Sequence, residues 1–396
     1  MKILMPCYEF PPLGGGGAKV VDGLSAELVR QGHEVEIVTM GFRDLPRYEE
    51  VNGVKVHRVA CLRRSEAICS PLEMVTYIVS AFFKVLKLSA NGRYDIIHPH
   101  FIFPDGITLL MLKLLKAKRF IVTAHGSDVP GYNPDRFKLL HVLLAPFWQM
   151  TVRSADSIVC PSDSLRERIL RACSSAKTCL IPNGFDIDRL TGKKPKQKRI
   201  LVVSRMFERK GVQYFLKALV GLDHQHEVHV VGDGPYLPEL RKMAEQDGIN
   251  VKFWGWVDNE SPELADLYET SEIFVFTSEA ENFPIVLLEA MAAGSAIITT
   301  DGTGCAEVVG ETGRLVEPKN SLAIREALAE LTGNPDLCRA MGQSARRRLE
   351  ENFSWQSVAR RYVELYTSRD RLAQETVESP AELMPPVPRQ GNSSSG

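Results

Sequence analysis

Short β-rich segments alternate with helical segments along most of this 396-residue chain, and a basic polar stretch interrupts the alternation near its middle. The first units are the apolar run Lys2–Pro6 and a helical pattern that ends near Gly32. The alternation resumes at Arg199–Val203, after the polar stretch Gly192–Lys198. This order is typical of parallel sheets that are covered by helices on both faces. The sequence therefore predicts two doubly wound α/β domains that face a cleft.

The segment 276–294 combines a turn with a helix that carries two glutamates. Pro284 suits the first position of this helix, and Gly294 suits its end. Glu281 lies in the turn and Glu289 lies in the helix, about 12 Å further along the axis. That separation is too large for an acid/base pair at one bond, but it suits two contacts to an elongated polar ligand. The helix N-terminus between them is an anion site, so the segment fits a sugar, a diphosphate and a nucleoside.

Four consecutive glycines, Gly14–Gly17, separate the first predicted strand from the first predicted helix. Glycine allows backbone amides to come close to an anion. The loop has neither the Gly-Lys-Ser/Thr of a Walker loop nor the spacing of a dinucleotide-binding fingerprint. Taken alone, it fits a flexible surface loop equally well.

Two other turns, each at the predicted carboxyl end of a strand, carry titratable side chains. One contains His125 and Asp128, and the other contains Arg205 and Lys210. Open α/β sheets bind ligands at this end of their strands. Fixed cations there can stabilise the charge that a departing diphosphate gains. Taken alone, the histidine also fits an ordinary loop residue, and the two basic side chains also fit a solvated turn.

Together, and in this order, the motifs resemble those of retaining glycosyltransferases of family 4, the glycosyl transferases group 1, over residues 1–367. The resemblance implies the GT-B fold, in which two Rossmann-like domains face an interdomain cleft. It is carried by the glycine loop, His-Gly-x-Asp, Arg-x4-Lys-Gly, and Glu-x7-Glu followed by Ala-Met-Ala-x-Gly. The matching residues are Gly14–Gly17, His125, Asp128, Arg205, Lys210, Glu281 and Glu289.

The resemblance also implies a role for each matched residue. The catalytic set is His125 over the donor sugar, Glu281 on the sugar hydroxyls, and Arg205 and Lys210 on the diphosphate. Glu289 would bind the ribose. The implied donor contacts are Gly15, Gly16, Asp128, Arg205, Lys210, Glu281, Asn282, Phe283, Ile285, Val286 and Glu289. Many relatives have glycine where this chain has Pro284, which lacks an N–H, so the anion contacts would fall to the amides of Ile285 and Val286.

The implied activity is the transfer of a hexose-type sugar from a UDP- or GDP-sugar to a hydroxyl of a glycan, a glycolipid or other lipid-linked acceptor, or a small molecule. We expect no metal or other cofactor. Asp186-Ile-Asp188 has the spacing of metal-binding glycosyltransferases of another fold, but we interpret it as a structural turn. The alternatives are a nucleotide-sugar epimerase on the same fold and a nucleotide-sugar-binding regulator.

The resemblance suggests domain bounds. Residues 1–190 would form the acceptor-side domain, 191–198 the linker, and 199–352 the nucleotide-sugar-binding domain. Residues 353–373 would form a helix that crosses back to the first domain, and 374–396, rich in Pro, Ser, Glu and Gly, a disordered tail. Glu307 matches a family glutamate near the nucleotide, and an ordinary surface helix residue is the alternative for it.

The net charge of −1 predicts no nucleic-acid partner, although residues 1–190 carry a surplus of five positive charges and the remainder six negative ones. The eight cysteines form no C-x-x-C pair, so we expect thiols in a reducing compartment. We find no signal-peptide core and no apolar run of membrane-spanning length, and we therefore expect a cytoplasmic protein.

The basic first half raises a further expectation, peripheral contact with the cytoplasmic face of a membrane. It rests on the apolar helices Met74–Leu88 and Leu139–Met150. The basic residues near them are Lys84, Lys87, Arg136, Lys138 and Arg153. Two ordinary core helices are the alternative, and the pattern fits this alternative better.

Overall fold

The computed structural model describes residues 1–66, 69–91, 94–108, 110, 119–131 and 138–368. These residues fold into two α/β domains, each built on one sheet. The predicted disordered tail, 374–396, lies outside the described residues. The alternation of strands and helices in the sequence predicts two doubly wound domains, and the sheet topologies confirm this fold.

The sheet of the first domain has eight strands in the part of the chain that the structure describes. They are β1 Lys2–Pro6, β2 Glu34–Met40, β3 Tyr48–Val51, β4 Val54–Val59, β5 Ile96–Ile97, β6 Arg119–Thr123, β7 Ser157–Cys160 and β8 Thr178–Leu180. Their order is β3-β4-β2-β1-β5-β6-β7-β8, and β3 alone runs antiparallel to its neighbour. The strand order reverses between β1 and β5, where doubly wound sheets bind ligands.

The sheet of the second domain has six strands, all parallel. They are β9 Gln197–Val203, β10 Glu227–Val231, β11 Val251–Gly255, β12 Ser271–Phe276, β13 Ala296–Thr300 and β14 Arg314–Val316. The order β11-β10-β9-β12-β13-β14 reads 3-2-1-4-5-6 within this domain, which is typical of Rossmann sheets. The reversal lies between β9 and β12, the strands that precede the predicted Lys210 and Glu281 turns.

Helices cover both sheets. In the described chain they are α1 Gly16–Arg30, α2 Pro71–Asn91, α3 Lys138–Ser154, α4 Asp163–Ala172, α5 Val212–Leu219, α6 Leu237–Gln246, α7 Pro262–Thr270, α8 Ile285–Ala293, α9 Gly304–Val309, α10 Ser321–Thr332, α11 Pro335–Asn352 and α12 Trp355–Thr367. Short turns of other helical types lie at Ile102–Gly106, Glu208–Lys210 and Gly310–Thr312. Within the described ranges, no helix has both the length and the apolar character that a membrane-spanning segment requires.

Helix α8, which follows the predicted site, is buried on nearly every side. Its residues from Leu287 to Ala293 are all buried, because α7, α9, α11 and β13 pack around it. It begins at Ile285, and Pro284 is its N-cap with an extended backbone. The prediction that Pro284 occupies the first helical position is therefore wrong by one residue, since its ψ of 115° is not helical.

The chain passes between the domains twice. Phe185 and Leu190 already belong to the core of the second domain, and β9 begins at Gln197, inside the predicted linker. Helix α12 then returns from the second domain and packs against α1. Its buried residues join the core of the first domain, and they are Val358, Ala359, Tyr362, Leu365 and Tyr366.

Candidate active site

The turns that follow β9 and β12 pack against each other at the reversal point of the second sheet. The Thr277 hydroxyl donates a hydrogen bond to the Gly211 carbonyl at 3.0 Å, and the Glu279 N–H donates to the Arg209 carbonyl at 2.9 Å. Gly211 has a φ of 71°, and a Cβ there would overlap the Thr277 carbonyl oxygen. The two turns can therefore approach this closely only with glycine at this position.

This packing brings Lys210 into contact with Glu281. Their ammonium and carboxylate form an ion pair, and the two side chains are only 9% and 13% exposed. Limited access to water strengthens such a pair relative to one on the surface. An ammonium has three N–H donors, so Lys210 can bind a phosphate while it keeps Glu281 in place. Arg205, in the same turn, is exposed, with its guanidinium 5.7 Å from the Phe207 ring centroid.

The glycine loop of the first domain meets the start of α8 across the cleft. A Cβ on Gly16 would lie 3.9 Å from Ile285 Cδ1, whereas one on Gly15 would have no neighbour within 4 Å. Gly15 is the N-cap of α1 and Pro284 that of α8, and neither end has a side-chain cap. Two helix N-termini without side-chain caps therefore meet in the cleft, one of them four residues after Glu281, and such ends favour an anion.

His125 lies at the end of a stack of three imidazoles. Its Nε2 is 3.2 Å from His100 Nδ1, and the two rings stack with centroids 5.4 Å apart. The His98 ring lies 4.4 Å beyond His100. Burial lowers the pKa of His125 and of His98 to about 3, and that of His100 well below its usual range. His125 is therefore a neutral hydrogen-bonding group near neutral pH and not a cation.

Asp128 holds the turn on which His125 is presented. Its Oδ1 accepts a hydrogen bond from the His125 N–H at 3.0 Å, and its Oδ2 accepts one from the Ile102 N–H at 2.7 Å. Burial raises the pKa of this carboxyl to about 6. Both oxygens face the backbone of the first domain, so Asp128 orients His125. A direct contact of Asp128 with the donor stays a prediction.

Glu289 has two protein partners that sequence patterns do not reveal. Its Oε1 lies 3.0 Å from Arg189 Nη1, and its Oε2 accepts a hydrogen bond from the Tyr268 hydroxyl at 2.7 Å. These partners are 100 and 21 positions away in the sequence. Burial raises the pKa of Glu289. A carboxylate has about four hydrogen-bond acceptor sites, so Glu289 can still accept a hydrogen bond from a ribose hydroxyl.

Asn282 and Glu307 connect the two domains. The Ser162 hydroxyl donates a hydrogen bond to Asn282 Oδ1, and the Glu307 carboxylate accepts the N–H groups of Asp163 and Ser164 at 2.5 and 2.9 Å. These N–H groups belong to the first turn of α4, where a negative charge is stabilising. Glu307 thus caps a helix of the facing domain, so it is not an ordinary surface residue, and its position near the nucleotide stays a prediction.

The remaining predicted contacts divide between the cleft and the core. Ile285 and Val286 are half-buried at the start of α8. Phe283 is buried and packs edge-on against Phe353, with ring centroids 5.6 Å apart, so its side chain stabilises the core of the second domain. Asp186 accepts the Asp188 N–H at 3.1 Å, as the turn interpretation of this motif predicts.

Comparisons with known proteins cover both domains. Residues 14–189 match the sequence model described as Glycosyltransferase Family 4, and residues 185–348 match the one described as Glycosyl transferases group 1. An uncharacterized glycosyltransferase of Methanocaldococcus jannaschii is 28% identical, over 92% of this chain and 98% of that protein.

Two solved structures resemble this one over nearly their full lengths. Sucrose-phosphate synthase of Thermosynechococcus elongatus superposes with a TM-score of 0.76 at 21% identity, over 92% of this chain and 98% of that one. Anabaena HepE, in complex with UDP-glucose, superposes with a TM-score of 0.69 at 18% identity, over 92% and 99%. At such identities these two likenesses show the fold alone.

Proposed function

Because the chain belongs to glycosyltransferase family 4 and has the GT-B fold, we propose that it is a retaining hexosyltransferase that uses a UDP- or GDP-sugar. The Lys210–Glu281 pair carries this proposal, because Glu281 comes four residues before Ile285, the residue of the second domain that faces Gly16 of the first. A diphosphate between the two helix starts would be within reach of the lysine ammonium. The UDP-glucose complex of HepE supports the donor class.

On the donor side, different residues bind different parts of the ligand. Lys210 and Arg205 bind the diphosphate and stabilise the charge that it gains when its bond to the anomeric carbon breaks. Glu281 accepts hydrogen bonds from the sugar hydroxyls, and Glu289 accepts them from the ribose. This division needs no metal ion, since two protein cations supply the positive charge.

On the acceptor side we assign a role to one residue, His125. His125 is half-buried, and desolvation lowers its pKa to about 3, so it is neutral when it hydrogen-bonds the donor sugar and orients it towards an acceptor hydroxyl. The acceptor oxygen forms the new bond to the anomeric carbon on the face that the diphosphate leaves, and the hydroxyl proton passes to an oxygen of the departing diphosphate. We propose a glycan, lipid-linked or small-molecule hydroxyl as acceptor, and a reducing compartment such as the cytoplasm, since all eight cysteines are thiols rather than disulfides.

Incubation with a panel of nucleotide sugars and acceptor mixtures, in the presence of EDTA, tests the proposal. We expect transfer with the anomeric configuration of the donor, read by NMR, and about 100- to 1,000-fold slower transfer by Lys210→Met. An epimerised donor without any acceptor would make the protein an epimerase, and binding without turnover would make it a regulator. A product of inverted configuration would refute retention, and activity that EDTA abolishes and magnesium or manganese restores would refute metal independence.

A further inference from the structure

Helix α2, Pro71–Asn91, is apolar on the face it exposes as well as on the face it buries. The buried face consists of Met74, Tyr77, Ala81 and Val85. The opposite face consists of four side chains that are 53% to 63% exposed, Leu72, Val75, Val79 and Phe83. A surface helix normally presents polar residues to water, so an apolar outer face indicates that something else covers it.

Helix α3 adds two further apolar side chains. Phe147 and Met150 are each 49% exposed, and α2 and α3 both pack against the turn Ile102–Gly106. We call these two residues and the four on α2 the α2/α3 apolar surface. It holds six of the thirteen large hydrophobic side chains that are exposed within the described residues. Exposed apolar groups are therefore concentrated here, whereas single ones elsewhere are ordinary.

The charged side chains that these helices present to solvent are basic. Lys87 lies one turn after Phe83 and is exposed, Lys84 is half-buried, and Arg153 is exposed at the end of α3. The one acid in the two helices, Glu73, is buried and accepts the Ser70 and Arg64 N–H groups. A second copy of this surface would therefore bring more positive charge, whereas an anionic bilayer offers both lipid tails and negative headgroups.

We propose that the α2/α3 apolar surface docks on an anionic lipid bilayer. Leu72, Val75, Val79 and Phe83 lie below the headgroups, and Lys84, Lys87 and Arg153 contact the lipid phosphates. Both helices lie along the membrane plane and do not cross it. Of the basic residues that the sequence associates with this contact, Arg136 lies outside the described residues. The docking proposal does not depend on the proposed sugar transfer, and the vesicle experiment that tests it uses no nucleotide sugar.

Co-sedimentation of the full chain with phosphatidylcholine vesicles, with and without phosphatidylglycerol, tests this docking. We expect binding only with phosphatidylglycerol and weaker binding at high salt. Lys87→Gln should lower the affinity about fivefold, as expected for the loss of one basic contact near a membrane. Val79→Asp and Phe83→Asp should lower it more than tenfold.

Leu322→Asp is the matched control, because Leu322 is 65% exposed on α10 of the other domain. It should bind vesicles like the wild type, and thermal unfolding should show that all four variants are folded. The proposal fails if the wild type ignores anionic vesicles, if it binds pure phosphatidylcholine equally well, or if Leu322→Asp weakens binding as much as Val79→Asp. A dimer in sedimentation velocity that Val79→Asp dissociates would instead make this surface an interface between copies.

Discussion

Replacing Glu289 with glutamine should weaken the binding of free nucleoside diphosphate, whereas replacing Glu281 should leave that binding nearly unchanged. Helix α8 begins at Ile285, between the two glutamates. Glu281 lies before this start and contacts Lys210, and Glu289 lies inside the helix and faces Arg189. Our proposal places the diphosphate at the helix start, and it therefore predicts that the sugar extends towards Glu281 and the ribose towards Glu289.

The magnitude follows from the interaction that the substitution removes. A hydrogen bond to a charged group contributes about 1.5–3 kcal/mol, which corresponds to an increase in Kd of about 10- to 150-fold for Glu289→Gln. The variant also loses the ion pair with Arg189. That side chain is 25% exposed, so its guanidinium can turn to water, and the stability lost should be below the roughly 3–5 kcal/mol of a fully buried pair.

Isothermal titration with UDP and GDP measures this prediction, with thermal unfolding as the check on folding. Tyr268→Phe is the matched control, because it removes one hydrogen bond to Glu289 and keeps the carboxylate charge. It should change Kd less than Glu289→Gln does. Glu281→Gln should lose turnover, because contacts to the sugar tighten as charge develops at the anomeric carbon. If Glu281→Gln loses diphosphate affinity and Glu289→Gln keeps it, the ligand lies in the opposite direction.

Three further outcomes can be measured. Lys210→Met should lower the rate of the chemical step about 100- to 1,000-fold in single-turnover kinetics, because it removes a cation from the departing diphosphate. Gly211→Ala should lower the thermal unfolding temperature more than Gly248→Ala, since both have positive φ but only the first would clash, with Thr277. His98 has a folded pKa of about 3, below its unfolded pKa, so stability falls as pH drops below about 6.5. In urea unfolding, His98→Asn should remove about 2 kcal/mol of the loss between about pH 7.5 and about pH 5.

The architecture and the local motifs could be predicted from the sequence because each depends on neighbouring residues. The apolar run Lys2–Pro6 is a strand with the predicted ends, and α8 ends at its C-cap Gly294 as predicted although it begins one residue later than predicted. The antiparallel strand Tyr48–Val51 was not predicted, although a signal was available. The signal is the dipeptide Asn52-Gly53, which is typical of a tight hairpin turn, and both residues have the positive φ of such a turn.

The partners of the site residues could not be predicted, because they depend on how the domains pack. Arg189 reaches Glu289 only after the chain has passed between the domains. Likewise, Glu307 reaches the start of α4 only because the two domains are in contact. Local patterns mark where a charged side chain lies along the chain, but they contain no information on which distant group neutralises it.

The return of α12 to the first domain has a consequence for biosynthesis. The Tyr366 hydroxyl lies 2.7 Å from His98 Nδ1, and the Tyr362 hydroxyl lies 3.1 Å from Thr123 Oγ1, both inside the first domain. Buried polar groups without such partners destabilise a fold. On the ribosome, the amino-terminal domain emerges first, but it acquires these partners only after the whole second domain has been translated. The part of the protein that begins to fold first is therefore the part whose core closes last.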